Sequence, residues 1–481
     1  MLMFWLTVAS LLASQPRVIA VGSDVGPLFS HYSLTLDLGE RTEAVGPFYY
    51  RQQIESEGTV AFPPFFSHFT DNVIDVEEYD FAYPLLTYDR YGSEYRWQFF
   101  QLWSFAGGKN QEDVQARRFT IFPLYFQQRS ADPTLNYTAL LPIYGHLKSR
   151  LFRDSIFFVM FPAYVQTRKR DVVTDNYLFP IFHRRHGNEL HGWQFWPVCG
   201  QEHKGITTRT DGFGDVETIG GHEKMFALWP IYLKQTTGIG TENERKEFAV
   251  LPAYSSLRST NRDSTTVLWP FFTWTDDREK KYHEWDGPWP LVVIARGEGK
   301  TITRYFPIFS QAHSATVESD SYLWPLYKYN RIRSAPLDRE RTRILLFLYS
   351  VVNEKNTETG KSKGRTDFWP LFTHRRDFNG NSRLQIFAPL EPVLPNNKSI
   401  ERDYSPVWSV WRAEKNPVAE ESSQSLLWNL YRRETTPDSR KFSLLFGIFQ
   451  YQSGPGTKHW RLFYIPLSKP QKNSDHVSEH R

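Results

Sequence analysis

Residues 227–235 read ALWPIYLKQ, and the aromatic–proline pair at the centre of this stretch recurs along the chain. TVLWPFFTW follows at 266–274, SYLWPLYKY at 321–329 and TDFWPLFTH at 366–374. Aromatic residues favour half-buried, pleated surfaces, and they make up 16% of the 481 residues. Because an internal repeat of this kind sets the fold class, the motif predicts a repetitive β protein.

The proline of the motif marks one position in each repeat, which we call the slot. Nineteen prolines occupy slots, and four further segments fit the pattern with another residue there. The slot prolines are Pro27, Pro47, Pro64, Pro84, Pro123, Pro142, Pro162, Pro180, Pro197, Pro230, Pro252, Pro270, Pro290, Pro307, Pro325, Pro370, Pro389, Pro406 and Pro466. The other slot residues are Gln101, Phe347, Asn429 and Gly447.

The spacing of the slots predicts an antiparallel meander. Neighbouring slots lie 17 to 23 residues apart, with one interval of 33 between Pro197 and Pro230. The middle of each interval is polar and rich in turn residues, as in HGNE at 186–189 and DFNGNS at 377–382. If each slot is the centre of one long strand that reverses at the polar turns, the chain contains about 22–24 strands.

The aligned slots predict an aromatic belt across the middle of the sheet. Tryptophan is frequent one position before the slot and an aromatic residue two positions after it, so the belt has aromatic side chains on both faces. Because proline donates no hydrogen bond to a ladder, we expect each strand to bend at its slot. The predicted belt consists of Trp196, Trp229, Trp269, Trp289, Trp324, Trp369, Trp428, Tyr125, Tyr144, Tyr164, Tyr232, Tyr254 and Tyr327.

Three architectures accommodate such a meander. A large closed barrel resembles transmembrane β-barrels, although its central aromatic belt differs from the terminal girdles of that class. A propeller or layered sheets would bury both faces by stacking. A solenoid would place the prolines at a stacked corner, but the hairpin signals disfavour it. We expect an all-β antiparallel meander closed as a barrel, with the propeller or layered sheets as the alternative.

The N-terminus predicts export. Residues 2–13 form an apolar run that is too short for a membrane helix and is followed by small residues suited to cleavage. The run lacks a preceding basic residue, but it otherwise resembles a secretory signal peptide. We therefore expect a signal peptide over 1–20, a single repetitive β domain over 21–470 and a disordered polar tail over 471–481.

Motifs that carry chemistry are sparse. Cys199 is the only cysteine, which excludes an intrachain disulfide and a cysteine-based zinc cluster. His183, His186 and His191 lie close in sequence, but two histidines three apart on a strand point to opposite faces. We therefore predict no metal, cofactor or catalytic residue. A formal charge of +4 gives no reason to expect a nucleic-acid partner.

The long interval from Cys199 to Phe226 predicts a loop, which is either a functional element or a tolerated insertion. Basic clusters such as QTRKR at 166–170 suit solvated strand ends, anionic lipid or an acidic polysaccharide. The sequence thus favours a non-enzymatic, exported envelope protein. An outer-membrane barrel with a structural, assembly or transport role is expected, with membrane lipid as its partner.

Two alternatives remain open at this point. A soluble periplasmic or surface scaffold would stack its exposed aromatic residues on glycan rings. A propeller-type hydrolase would instead bring two carboxylates together at one end of its axis.

Overall fold

A computed structural model describes residues 28–109, 115–210, 214, 216–455 and 457–467. Within these ranges the chain forms one antiparallel sheet of 43 strands and a separate two-stranded hairpin. The predicted all-β antiparallel meander is therefore confirmed. No helix in the described ranges is long and apolar enough to cross a membrane. The predicted signal peptide over 1–20 and the tail over 471–481 lie outside the described residues.

The first half of the meander runs to the strand before the motif at Pro230. Its strands are β1 (Ser30–Ser33), β2 (Gly39–Ala44), β3 (Tyr49–Ile54), β4 (Glu57–Phe62), β5 (Phe66–Asp71), β6 (Val76–Phe81), β7 (Leu86–Tyr91), β8 (Glu94–Phe99), β9 (Trp103–Lys109), β10 (Gln115–Ile121), β11 (Tyr125–Ser130), β12 (Tyr137–Leu140), β13 (Tyr144–Arg150), β14 (Arg153–Val159), β15 (Tyr164–Lys169), β16 (Val172–Tyr177), β17 (Phe182–Gly187), β18 (Leu190–Phe195), β19 (Cys199–Lys204), β20 (Thr207–Thr210), β21 (Val216–Ile219) and β22 (Gly221–Ala227).

The second half contains the remaining strands and two short helices, α1 (Lys398–Asp403) and α2 (Ser405–Trp408). Its strands are β23 (Tyr232–Ile239), β24 (Arg245–Val250), β25 (Tyr254–Ser259), β26 (Arg262–Val267), β27 (Phe272–Asp277), β28 (Tyr282–Asp286), β29 (Val292–Gly297), β30 (Lys300–Tyr305), β31 (Phe309–Ser314), β32 (Val317–Tyr322), β33 (Tyr327–Ser334), β34 (Leu337–Ile344), β35 (Tyr349–Asn356), β36 (Ser362–Phe368), β37 (Phe372–Arg376), β38 (Ser382–Ile386), β39 (Trp411–Asn416), β40 (Glu421–Leu426), β41 (Tyr431–Thr435), β42 (Arg440–Leu444), β43 (Phe449–Gly454), β44 (Thr457–Leu462) and β45 (Ile465–Pro466).

The strands are short, and their number is about twice the 22–24 that the sequence predicted. A typical strand such as β24 has six residues, so an interval of 17 to 23 residues holds two strands rather than one. The extra reversal is the motif itself, because almost every slot lies in a tight turn between two paired strands. The prediction that each slot is the bent centre of a long strand is therefore wrong.

Four slots lie elsewhere. Pro27 is outside the described residues, Pro389 follows β38 in a non-repetitive segment, Pro406 lies in α2 and Pro466 lies in β45. The propeller and solenoid alternatives are wrong, because the 43 strands form one sheet and successive strands pair antiparallel. Closure of the sheet into a barrel stays a prediction, as does the single domain over 21–470.

The long interval from Cys199 to Phe226 is not the open loop that the sequence predicted. It contains β19 and most of β22, which pair with each other in the main sheet. Between them, β20 and β21 form the separate hairpin, with Thr207 opposite Ile219. The interval is thus an extra hairpin inserted between two strands that remain neighbours.

The described residues fall into two compact units. Unit 1 contains the residues up to Asn72 together with Asn381–Phe387 and the chain from Asn397 onward. Its early and late strands meet through side chains, since Thr35 Oγ1 donates to Ser423 Oγ at 2.7 Å. The Phe48 and Trp428 rings pack at a centroid distance of 6.3 Å.

Unit 2 comprises Val73–Gly380 and Ala388–Asn396 and holds most of the repeats. Two small clusters hold most of its buried apolar residues, and neither is a large core. The first cluster contains Tyr137, Ala139, Leu147, Phe158 and Val165. The second contains Tyr282, Val293, Ala295 and Ile302. Many of its large apolar residues lie at the surface instead.

Candidate functional site: the aromatic–proline rim

The motif forms a four-residue hairpin turn, as residues 228–231 illustrate. The turn joins β22 to β23, whose last and first residues, Ala227 and Tyr232, are paired. It is closed by the Ile231 N–H, which donates to the Leu228 carbonyl at 2.7 Å. Leu228 adopts a left-handed conformation with φ 48°, and the Trp229–Pro230 bond is cis. A cis proline at the third position is the arrangement of a type VI turn.

Hydrogen bonding explains why proline occupies the slot. Within this turn the N–H groups of Leu228 and Trp229 donate to the neighbouring turn, and that of Ile231 closes its own turn. Pro230 is the fourth residue and has no N–H group. Every backbone N–H group of the turn therefore has an acceptor. A proline at the centre of a strand would instead leave the facing carbonyl of the neighbouring strand without a donor.

Neighbouring turns are joined to each other along one rim of the sheet. The Trp229 N–H donates to the Pro197 carbonyl at 2.7 Å, and the Leu228 N–H donates to the Val198 carbonyl at 2.6 Å. The same connection recurs further along, where the Trp324 N–H donates to the Pro307 carbonyl at 2.8 Å. We call the row of motif turns in unit 2, from residue 82 to residue 371, the aromatic–proline rim.

The side chains of the aromatic–proline rim are apolar and exposed. Trp229 exposes 49% of its surface and Leu228 exposes 59%. Rings of adjacent turns contact each other, with Trp196 and Trp229 at a centroid distance of 5.8 Å. Other exposed members are Phe122, Leu124, Met160, Leu178, Phe179, Leu268, Trp269, Leu323, Trp324 and Leu371. The rim is therefore a continuous apolar edge.

A second apolar row lies beside the rim on one face of the sheet. Tyr232 pairs with Ala227 on one side and with Val250 on the other, and Val250 pairs with Tyr254. Cross-strand partners point to the same face, so these residues form one row. The row continues through Val267 to further strands, and we call this side of the sheet the tyrosine face.

The opposite rim is polar. Its turns carry charged or small residues such as Asn188, Glu189 and Lys281, and Lys281 Nζ lies 3.1 Å from Glu298 Oε2. Two turns are exceptions: Phe152 lies between β13 and β14 and is 97% exposed, and Val73 lies between β5 and β6 and is 78% exposed. The sheet is thus amphipathic along its strands, with one apolar rim and one polar rim.

The structure brings the predicted belt residues together, but at the aromatic–proline rim and not at mid-strand. The predicted tryptophans lie in turns, and Trp428 lies in a motif turn of unit 1. Tyr125, Tyr144, Tyr164, Tyr232, Tyr254 and Tyr327 are each the first residue of a strand. The belt prediction missed the aliphatic residues that flank the aromatic–proline pair, although LWPI and LWPL display them plainly.

A buried charged network connects the early and late strands of unit 1. Glu43 accepts hydrogen bonds from the Tyr32 hydroxyl and from Asn429 Nδ2, both at 2.7 Å. The Arg432 guanidinium lies 3.3 Å from the centroid of the Tyr32 ring. Burial raises the pKa of Tyr32 above its usual range, so its hydroxyl stays a hydrogen-bond donor. The network joins parts of the chain that are almost 400 residues apart and serves the fold.

Glu414 is the second acid of this network. Arg383 Nε and Arg412 Nη2 lie 2.8 and 2.7 Å from its Oε1 atom. Burial acts to raise the pKa of Glu414, but the two arginines outweigh it and hold that pKa at about 2. Glu414 is therefore ionised at neutral pH and stabilises the fold through its ion pairs with the two arginines.

Asp286 in unit 2 has the opposite environment. It is only 8% exposed, and among the described residues its Oδ1 atom has no hydrogen-bond partner. Burial and the charge of Glu284 raise the pKa of Asp286 to about 6, against the opposing charges of Lys300, Arg304 and Arg262. A buried carboxyl group with an unused oxygen is a destabilising element.

The histidines that the sequence placed close together do not converge. His186 pairs with His191 across β17 and β18, whereas His183 points to the other face, opposite Asn176. Another group does converge: His313 Nε2 lies 3.2 Å from Asp320 Oδ1 and 3.6 Å from Glu318 Oε1. Arg333 already pairs with Glu318 at 3.2 Å, which places a cation where a metal would bind. Sequence spacing did not single out this trio.

The fold and the aromatic–proline rim define a class of repetitive, amphipathic β protein. No family model matches the chain, and no curated protein matches it either.

Proposed function

We propose that this chain is an exported cell-envelope protein that is held at a lipid membrane by its aromatic–proline rim and acts there as a structural or assembly scaffold. One observation carries the proposal: consecutive hairpin turns along the aromatic–proline rim present exposed aliphatic and aromatic side chains in an unbroken row, which the opposite rim does not. Trp229 alone leaves roughly 120 Å² exposed, so a few neighbouring turns exceed the patch size that marks an interaction surface.

The dimensions suit insertion into one leaflet. A rim turn and the adjacent row of the tyrosine face together extend about two residues along the strand, or roughly 7 Å. Interfacial proteins bury their apolar parts about 5–10 Å deep. A six-residue strand such as β24 covers only about 20 Å, less than the ~25 Å apolar band of transmembrane barrels. Tryptophan and tyrosine also prefer the depth of the lipid head groups.

Fractionation of the native protein tests the membrane proposal. We expect the protein in the membrane pellet after a high-salt wash, because the attachment is apolar, and in solution after detergent is added. Recovery of the whole protein in the soluble fraction without detergent would contradict membrane attachment. That result would favour the soluble scaffold, which exposed rings such as Trp97 and Trp274 would equip to stack on glycans.

A labelling experiment separates interfacial attachment from the outer-membrane barrel. Cys199 is the only cysteine, so Cys199→Ser provides a background for single-cysteine variants. Leu228→Cys marks the aromatic–proline rim and Phe152→Cys marks the polar rim. In vesicles with a charged thiol reagent on both sides, interfacial attachment predicts that only Phe152→Cys reacts. A spanning barrel predicts reaction of both variants, since each rim would then reach water.

A further inference from the structure

A groove of about 660 Å³ lies along β18 to β26 in unit 2 and begins at the aromatic–proline rim. Trp196, Trp229 and Trp269 line its rim end. Its floor there is apolar, since Phe226 and Leu233 are cross-strand partners on the same face. A volume between about 300 and 1,000 Å³ is typical of small-molecule sites.

Gly200 opens the floor of this groove. A Cβ atom at position 200 would come within 2.5 Å of Phe226 Cε1 and within 2.6 Å of Gln194 Cγ. A larger residue would therefore displace the Phe226 ring. The floor keeps its shape because glycine leaves room for the aromatic ring of the next strand.

The other end of the groove is polar. Glu202, Lys224 and Gln235 form a cross-strand row there, two residues or roughly 7 Å further from the rim than Phe226. Trp196 and Arg262 thus mark opposite ends of one amphipathic groove. Such a groove matches a ligand that has an apolar chain at one end and a polar group at the other.

At the polar end of the groove, the acidic side chains are already held in ion pairs, whereas two basic side chains are not. Glu202 is neutralised by Arg185, whose Nη1 atom lies 2.6 Å from Glu202 Oε2. Glu247 is paired with Arg245. Within the described ranges, neither Lys224 nor Arg262 has an ion-pair partner, and both are exposed. The groove therefore offers exposed cations that lie outside close ion pairs to an anionic group, with Lys224 and Arg262 on the same face of the sheet as Phe226.

We propose that this groove binds a lipid that has one apolar chain and a phosphate head group. The chain lies against Trp229 and the floor formed by Phe226 and Leu233, and the head group lies at the polar end, where Lys224 and Arg262 are exposed. Charge-assisted hydrogen bonds from a lysine or an arginine suit phosphate oxygens. The site is independent of membrane attachment, because a monomeric amphiphile in solution fills it as well.

The test is calorimetric titration of the purified full chain with dodecyl phosphate below its critical micelle concentration. Dodecyl maltoside supplies the same chain with a neutral head group, and inorganic phosphate supplies the anion alone. We expect saturable binding of dodecyl phosphate, weaker binding of dodecyl maltoside and the weakest binding of inorganic phosphate. Absence of saturable dodecyl phosphate binding, or equal binding of the two dodecyl compounds, would overturn the proposal.

Variants locate the site. The double variant Lys224→Gln with Arg262→Gln should weaken dodecyl phosphate binding about tenfold or more and leave dodecyl maltoside binding unchanged. Trp229→Ala should weaken the binding of both compounds. Trp324→Ala removes a matched rim tryptophan outside the groove and should change neither.

The variant results also keep this proposal separate from membrane attachment. Equal losses from Trp229→Ala and Trp324→Ala would mean general adsorption to the rim and would refute the groove. Unchanged dodecyl phosphate binding in the double charge variant would refute it as well. That variant alters only exposed side chains, so it stays informative if a tryptophan variant fails to fold. Vesicle binding is measured separately, and its loss alone leaves the groove intact.

Discussion

Replacing one tryptophan of the aromatic–proline rim should weaken membrane binding by a calculable amount. Trp229 is 49% exposed, and the full surface of a tryptophan side chain is roughly 250 Å². About 120 Å² therefore remains to be buried by lipid, which is worth ~3 kcal/mol at ~25 cal/mol per Å². Because alanine retains part of this contact, Trp229→Ala should cost about 2–3 kcal/mol, or roughly 30- to 140-fold in the partition coefficient.

The assay is co-sedimentation with phosphatidylcholine vesicles over a range of lipid concentrations. Phe152→Ala is the matched control, since Phe152 is more exposed than Trp229 but lies in a turn of the polar rim. We expect Phe152→Ala to leave the partition coefficient unchanged. Thermal unfolding of both variants in the absence of lipid checks that each retains the fold.

Two results would refute the reasoning. If Trp229→Ala partitions like the parent chain while its unfolding temperature is unchanged, the rim does not contact lipid. If Phe152→Ala lowers the partition coefficient as much as Trp229→Ala does, apolar exposure matters but its position does not. The amphipathic arrangement of the two rims would then have no role in binding.

Three further predictions concern the buried polar groups. Glu414→Gln should destabilise unit 1 by about 3 kcal/mol at neutral pH in denaturant unfolding, because it leaves Arg412 and Arg383 without their buried partner. Since the folded pKa of Glu414 is about 2, its contribution to the free energy of unfolding is complete above its ordinary pKa of 4.5 and is lost as the pH falls from about 4.5 to 2. A parent chain whose stability is constant over that pH range would contradict this. The pH dependence that Asp286 contributes runs in the opposite direction. Because its folded pKa is about 6, the parent chain should lose stability as the pH rises from about 4 to 6. Asp286→Asn should remove that loss, worth up to about 3 kcal/mol, and equal unfolding midpoints of parent and variant at pH 7 would argue against a costly buried charge. Tyr32→Phe removes the hydroxyl that donates to Glu43 but keeps the ring beneath Arg432, so it should cost about 1–3 kcal/mol; a Tyr32→Leu variant, which also loses the ring, should cost more.

The buried network and Asp286 illustrate what sequence patterns omit. Glu43 and Asn429 are 386 residues apart and belong to no motif, so only the fold brings them into contact. Asp286 is one of 53 acidic residues, and nothing in its local sequence distinguishes it from an exposed one. The spacing of residues along the chain does not predict which polar groups become buried or which distant residues they contact.

The sequence by itself determined the fold class and the membership of the apolar row. The regular interval between motifs and the turn residues between them required an antiparallel meander, and the alternation of side chains grouped Tyr232 with Tyr254 correctly. Only the tertiary structure decided where the motif lies. A proline with no N–H group is compatible with a bend at mid-strand or with a tight turn, and local pattern does not distinguish the two. Hydrogen bonds between neighbouring turns, such as that from Trp229 to Pro197, select the turn because they satisfy the donors that a mid-strand position would leave unpaired. That choice doubles the number of strands and moves the aromatic residues from the middle of the sheet to its rim.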